Sequence, residues 1–253
     1  MIPSCRVTHG TATWALLATL LTLPQLAQAQ QVEHAFIFII DGLRSVEGFD
    51  DPEYAFVGPL ASQLAPQGSL LTWLEIRGQT LTLPAHQVIV TGNYADVSNT
   101  PAYEGRQYLS SRTPTLFESY RLQTGAAADS CWVVSNTPLV GEDCNHSLMP
   151  GYGGGAYGAN VITTYGTESD QWVWENIDSI LDDHEVGVML VNLHEVDLAG
   201  HAEEWWRYEE RAVEGSADLV AFWNRLQADP VYRDTSALIV TTDHGRHLEG
   251  ISS

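Results

Sequence analysis

The chain has 253 residues, 44% of them hydrophobic, and carries 32 acidic against 11 basic side chains, for a formal net charge of −21. That apolar content excludes a disordered or fibrous chain and suits one large domain or two small ones. Every basic residue is Arg. A surface this acidic repels phosphate backbones, which argues against a nucleic-acid groove. Small anionic substrates stay open only if something positive sits in the pocket, and with so few bases a metal ion is the natural source.

Residues 1–29 read as a secretory signal peptide. Arg6 and His9 precede an apolar run over 12–23, followed by Pro24 and the small-residue cut site Ala27-Gln28-Ala29. The run is too short and too rich in Thr for a stable membrane span, so none is expected after cleavage. The mature domain, residues 30–253, is expected outside the cytoplasm, in a periplasm or the extracellular medium. Cleavage removes Cys5 and leaves Cys131 and Cys144. An oxidising compartment can pair these two; the alternative is two separate thiols.

In chain order, the first element is an apolar strand at 34–40, ending at Asp41-Gly42. A helix is predicted to start near Pro84, a favoured first-turn residue. A second helix is predicted over 114–122, with Thr113 as its N-cap and Gly125 as its stop. A strand follows at 130–134. The glycine-rich stretch 151–158 is a loop and no phosphate cradle, since no Lys-Ser/Thr follows it. A helix over 169–181 puts Trp172, Ile177, Ile180 and Leu181 on one stripe. A strand at 186–193 leads into His194-Glu195-Val196-Asp197. The longest helix, 203–226, is expected to bury Trp206, Ala217, Val220 and Trp223, and a last strand lies at 237–240. Continuous apolar strands alternating with helices predict one α/β domain: a mainly parallel central sheet with helices on both faces.

Ligands of open α/β sheets bind beyond the carboxyl ends of the strands. Asp41, Asp197, Asp243 and His244 all fall at such ends. Carboxylates gathered at one edge repel each other unless a cation neutralises them. Asp197 and His201 stand four apart, so on a helical turn they share a face and can offer an oxygen and a nitrogen to one ion. Mixed Asp and His ligation suits zinc, with manganese or iron as alternatives. Thr82 lies at the predicted helix start, where backbone N–H groups favour an anion, and a hydroxyl activated by a metal can attack phosphorus there.

Taken in order, four segments resemble the alkaline phosphatase superfamily, most closely its nucleotide pyrophosphatase/type I phosphodiesterase branch. They are Asp41-Gly42, Thr82-Leu-Pro-Ala-His86 with Val90-Thr-Gly92, Asp197-Leu-Ala-Gly-His201, and Thr242-Asp-His-Gly245. The resemblance spans residues 34–247 and implies two divalent metal ions, usually zinc. It implies that Asp41, Asp243 and His244 hold one ion together with the Thr82 oxygen, and that Asp197 and His201 hold the other. It further implies in-line attack by Thr82 on a small-molecule phosphate ester, a phosphothreonine, and its hydrolysis.

The chain departs from that pattern in three places. Ala85 replaces an Asn after the Pro. A downstream Asn that holds a phosphoryl oxygen has only Asn93 and Asn99 as candidates. A further His that the second ion takes is absent after the Asp-His-Gly, so it is expected beyond Ser253, with His247 as the substitute within the chain. The alternatives are a sulfatase-like hydrolase of the same superfamily and a catalytically inactive metal- or ligand-binding protein on this fold. The sulfatase pattern needs a convertible Cys or Ser followed by Pro and Arg, whereas Thr82 cannot be converted and no Arg follows Pro84. The sequence leaves the oligomeric state open.

Overall fold

The structure is a computed structural model that describes residues 31–72, 74–75, 80–94, 111–152, 155–164 and 169–246. The signal segment 1–29, Asn99, Gly153, Gly154 and His247 lie outside the described residues. Five strands form one sheet: β1 (His34–Ile40), β2 (Cys131–Ser135), β3 (Asn160–Thr163), β4 (Val188–Leu193) and β5 (Ser236–Thr241). Their order is β3-β2-β4-β1-β5 and every pairing is parallel. The α/β fold with a parallel central sheet is therefore present. β3 was not predicted, because Asn-Val-Ile-Thr is too short to carry a period and sits at the sheet edge with every residue only half-buried.

Alternate side chains of each strand go to opposite faces and build two cores. Phe36, Phe38, Ile40, Met189, Val191 and Leu193 belong to one. Ile39, Val133, Val188 and Leu190 belong to the other. The second face is covered by α1 (Thr82–Thr91), α2 (Leu116–Thr124) and α3 (Pro138–Cys144), through Leu83, Val90, Phe117, Val140 and Cys144. The first face is covered by α4 (Asp170–Asp183) and by α6 (Trp205–Ala228), with the short α5 (Glu195–His201) between β4 and α6. Phe36 and Phe38 are fully buried and contact Phe222 edge-on or tilted. Each such ring contributes about 1.5–3 kcal/mol through burial.

Several expected boundaries shift for local reasons. α2 is capped by Thr115, not Thr113. The Thr115 hydroxyl accepts from the Glu118 N–H at 3.3 Å, and Glu118 Oε2 accepts from the Thr115 N–H at 2.8 Å, closing a capping box. Thr113 instead accepts from Asn93 Nδ2 at 2.7 Å. Gly125 does end the helix, at φ 73°. On α6 the stripe is Tyr208, Ala212, Gly215, Leu219, Phe222 and Leu226. Val220 is buried and Trp223 packs partly against the core, whereas Trp206 is 68% exposed and Ala217 faces out. On α4, Val173 joins Ile177, Ile180 and Leu181 inside, while Trp172 stays half-buried. Cys131 and Cys144 are separate buried thiols. Burial pushes both up, Cys131 to about 11. No helix of the described residues is long and apolar enough to cross a membrane.

Candidate metal centre

Sheet order decides where the acids meet. β1 lies between β4 and β5, with Ile40 opposite Leu193 and Ile39 opposite Thr241. Asp41, one residue past β1, thus stands between the segment after β4 and the segment after β5. It belongs to both groups of convergent ligand atoms among the described residues: Asp41, Asp243 and His244, and Asp41, His194 and Asp197. The turn that carries Asp41 is held by Tyr208, whose buried hydroxyl donates to the Gly42 carbonyl at 2.9 Å and accepts from the Arg44 N–H at 2.9 Å. Gly42 has φ +69°, and a Cβ there would stand 2.6 Å from Asp197 Oδ1, so both backbone conformation and space require glycine.

In the first group His244 Nε2 lies 3.4 Å from Asp41 Oδ1, 3.5 Å from Asp243 Oδ2 and 3.4 Å from Thr82 Oγ1. Ligands about 2.0–2.1 Å from a tetrahedral zinc ion stand roughly 3.3–3.4 Å apart. Asp41 Oδ1 and Asp243 Oδ2 are buried and have no hydrogen-bond partner among the described residues. Their opposite oxygens are committed. Asp41 Oδ2 accepts from Asn192 Nδ2 at 3.0 Å and lies 2.9 Å from His194 Nδ1. Asp243 Oδ1 accepts from the N–H groups of Gly42 at 3.1 Å and His244 at 2.8 Å. Asp41 Oδ1 without a hydrogen-bond partner and Asp243 Oδ2 with only the His86 ring beside it at 3.4 Å, facing one imidazole nitrogen and one hydroxyl, fit a single divalent ion.

Thr82 is the first residue of α1, after extended Leu81. Ala85 N–H reaches back to the Leu81 carbonyl, so the N–H groups of Thr82 and Leu83 lack intrahelical acceptors and Pro84 has no N–H. His86 is fully buried one turn on, with Nδ1 2.8 Å from the Thr82 carbonyl and Nε2 2.9 Å from Asn192 Oδ1. Both contacts are to oxygens, which favours the charged ring. Burial opposes that charge, but Asp243, 3.4 Å from Nδ1, and Asp41 outweigh it and raise the His86 pKa.

Burial pushes the Asp41 carboxyl up and the Asp243 charge adds to this, against the lowering effect of His194. Burial also acts upward on Asp243, yet His86, His244 and the Gly42 N–H hold it at about 2. For His194, burial is outweighed by the hydrogen bond and charge of Asp41, which raise it to about 9.

The second pair is assembled less completely. Asp197 and His201 share one face of α5, with Oδ2 and Nε2 3.2 Å apart. His201 is 52% exposed, and among the described residues no third Asp, Glu, His or Cys atom converges on the pair. Burial lowers the His201 pKa. The group that does form around Asp197 uses His194 and Asp41 instead. Asn93 does not reach the centre: it lies beyond the far end of α1, and that end is about 14 Å along the helix axis from Thr82.

Three functional contacts were missed in the sequence. Asn192 joins Asp41 to His86 from inside β4. Its signal was one polar residue in an otherwise apolar strand, since a fully buried amide needs partners. His86 is both packed in the core and in contact with the Thr82 carbonyl at the helix start, but its link to Asn192 had no sequence signal, and Arg246, which pairs with Asp197, carried no local signal at all. Trp205 sits under the Arg44 guanidinium, 4.8 Å from it. Comparison with protein-family models and with curated proteins finds no match, so the functional reading rests on these residues.

Proposed function

We propose that this chain is an exported, metal-dependent hydrolase of small-molecule phosphoric esters, with Thr82 as its nucleophile. The observation that carries the reading is the convergence of Thr82 Oγ1, His244 Nε2, Asp41 Oδ1 and Asp243 Oδ2 at the carboxyl edge of the sheet. Asp41, Asp243 and His244 would hold a divalent ion, zinc by ligand type, which when bound supplies Lewis-acid activation of a hydroxyl and a phosphoryl oxygen. Thr82 presents its hydroxyl at a helix start, where the N–H groups of Thr82 and Leu83 have no intrahelical acceptor and would donate to phosphoryl oxygens. His86 fixes the Thr82 carbonyl and, through Asn192, the Oδ2 edge of Asp41, which leaves Oδ1 free. His194 orients the same carboxylate from the other side.

Zinc-loaded protein is tested with a generic aryl phosphodiester and the matching monoester. Thr82→Ala is expected to lose several orders of magnitude in turnover while keeping fold and metal content, because a nucleophile and its activating group act as a unit. Thr80→Ala is expected to be mild. Equal, small losses in the two variants refute the nucleophile assignment. Zinc binding with no turnover on either ester favours the metal-binding protein without catalysis.

A further inference from the structure

Arg246 follows Asp243-His244-Gly245 and turns its side chain inward. Its side chain and that of Asp197 are each only 1% exposed. Nη2 donates to the Asp197 carbonyl at 2.9 Å and pairs with the Asp197 carboxylate at Oδ1. Space for the guanidinium comes from Gly200 on α5, where a Cβ would stand 2.3 Å from Arg246 Nε. Nε and Nη1 are buried and have no hydrogen-bond partner among the described residues.

A guanidinium is always charged and cannot be deprotonated in a protein. It therefore stands as a permanent cation on the carboxylate that the two-ion pattern assigns to its second metal. Asp197 Oδ1 is already committed, and the Asp197–His201 pair gathers no third ligand among the described residues. The other convergent group around Asp197, with Asp41 and His194, is closed by the 2.9 Å contact of His194 Nδ1 with Asp41 Oδ2 and by the guanidinium on Asp197 Oδ1, so the described residues leave a second ion no open ligand set.

We propose that Arg246 takes the place of the second metal ion, giving a centre of one divalent ion and one guanidinium. The unpartnered edge of that guanidinium is then available to a phosphoryl oxygen, the ligand it matches in charge and geometry. This rests on the hydrolase reading for its first ion and departs from it in the number of ions.

The test is zinc stoichiometry by native mass spectrometry and calorimetry on the 253-residue chain, with inorganic phosphate as the oxyanion probe. The wild type is expected to bind one zinc ion tightly. Arg246→Ala is expected to accept a second ion and to bind phosphate at least ten-fold more weakly when one ion is loaded. Arg246→Lys keeps the charge, so it is expected to stay at one ion. If Arg246→Ala fails to fold, the wild-type count and Arg246→Lys decide the matter. Two ions of similar affinity in the wild type overturn the substitution by Arg246 and leave the hydrolase reading standing. So does an Arg246→Ala variant that keeps one ion and full phosphate affinity. A wild type that binds no ion overturns both.

Discussion

Replacing Asp41 by Asn should move stability in opposite directions with and without zinc. Asp41 Oδ1 is buried without a partner, beside the Asp243 carboxylate. An amide can keep its oxygen toward Asn192 and His194 and turn its NH2 toward Asp243 and His244, so the substitution removes the buried charge that Asp243 opposes; His194 keeps its acceptor and, losing the Asp41 charge, returns toward the neutral ring. Relief of such a group is worth about 1–3 kcal/mol. At roughly 2–4 °C per kcal/mol for a domain of this size, Tm in a chelator should rise by about 2–12 °C. Zinc at a thousand times its Kd should stabilise the wild type by about 4 kcal/mol, or roughly 8–16 °C. The amide is a poor ligand, so the variant should gain little. Thermal unfolding of both proteins, in chelator and in zinc, should show the order of stability reversing. An equal zinc-induced rise in the two proteins refutes the ligand assignment. A variant less stable than the wild type in chelator refutes the repulsion argument.

Gly42→Ala forces an L side chain into φ +69° with its Cβ 2.6 Å from Asp197 Oδ1. Backbone strain of about 1–3 kcal/mol should lower Tm, and calorimetry should show weakened zinc binding as Asp41 shifts. Asp170 is pushed up to about 7 by burial and then by Glu195, against its hydrogen bonds from Asn136 and the N–H groups of His194 and Glu195. A carboxyl with a folded pKa above its unfolded 3.8 binds more protons in the folded state between those values, so its contribution falls as pH rises from about 4 to about 7. Asp170→Asn keeps an acceptor for those donors and removes the charge. It should stabilise the protein by up to about 4 kcal/mol at pH 8 and by little near pH 4.5. Urea unfolding at the two pH values measures this, and parallel stability profiles for the two proteins contradict it.

Local chemistry made much of this protein legible. The apolar runs at 34–40 and 186–193 specify strands because a strand buried on both faces needs apolar residues at every position, and β1 matches its expected span. Asp41, Asp197, Asp243 and His244 could be placed at strand ends, and the four-residue spacing of Asp197 and His201 on one helical face, because strand ends and helical periods are local properties. Strand order is not local. Only the sheet order β3-β2-β4-β1-β5 sets Asp41 between Asp243 and Asp197. His86, Asn192 and Arg246 acquire their roles from partners 106, 151 and 49 residues away, which no periodicity reports. The same physics decides between Thr113 and Thr115 as the cap: both are good capping residues, and the choice falls to the one whose Glu three residues on can return the hydrogen bond while Ser147 anchors that carboxylate from across the fold.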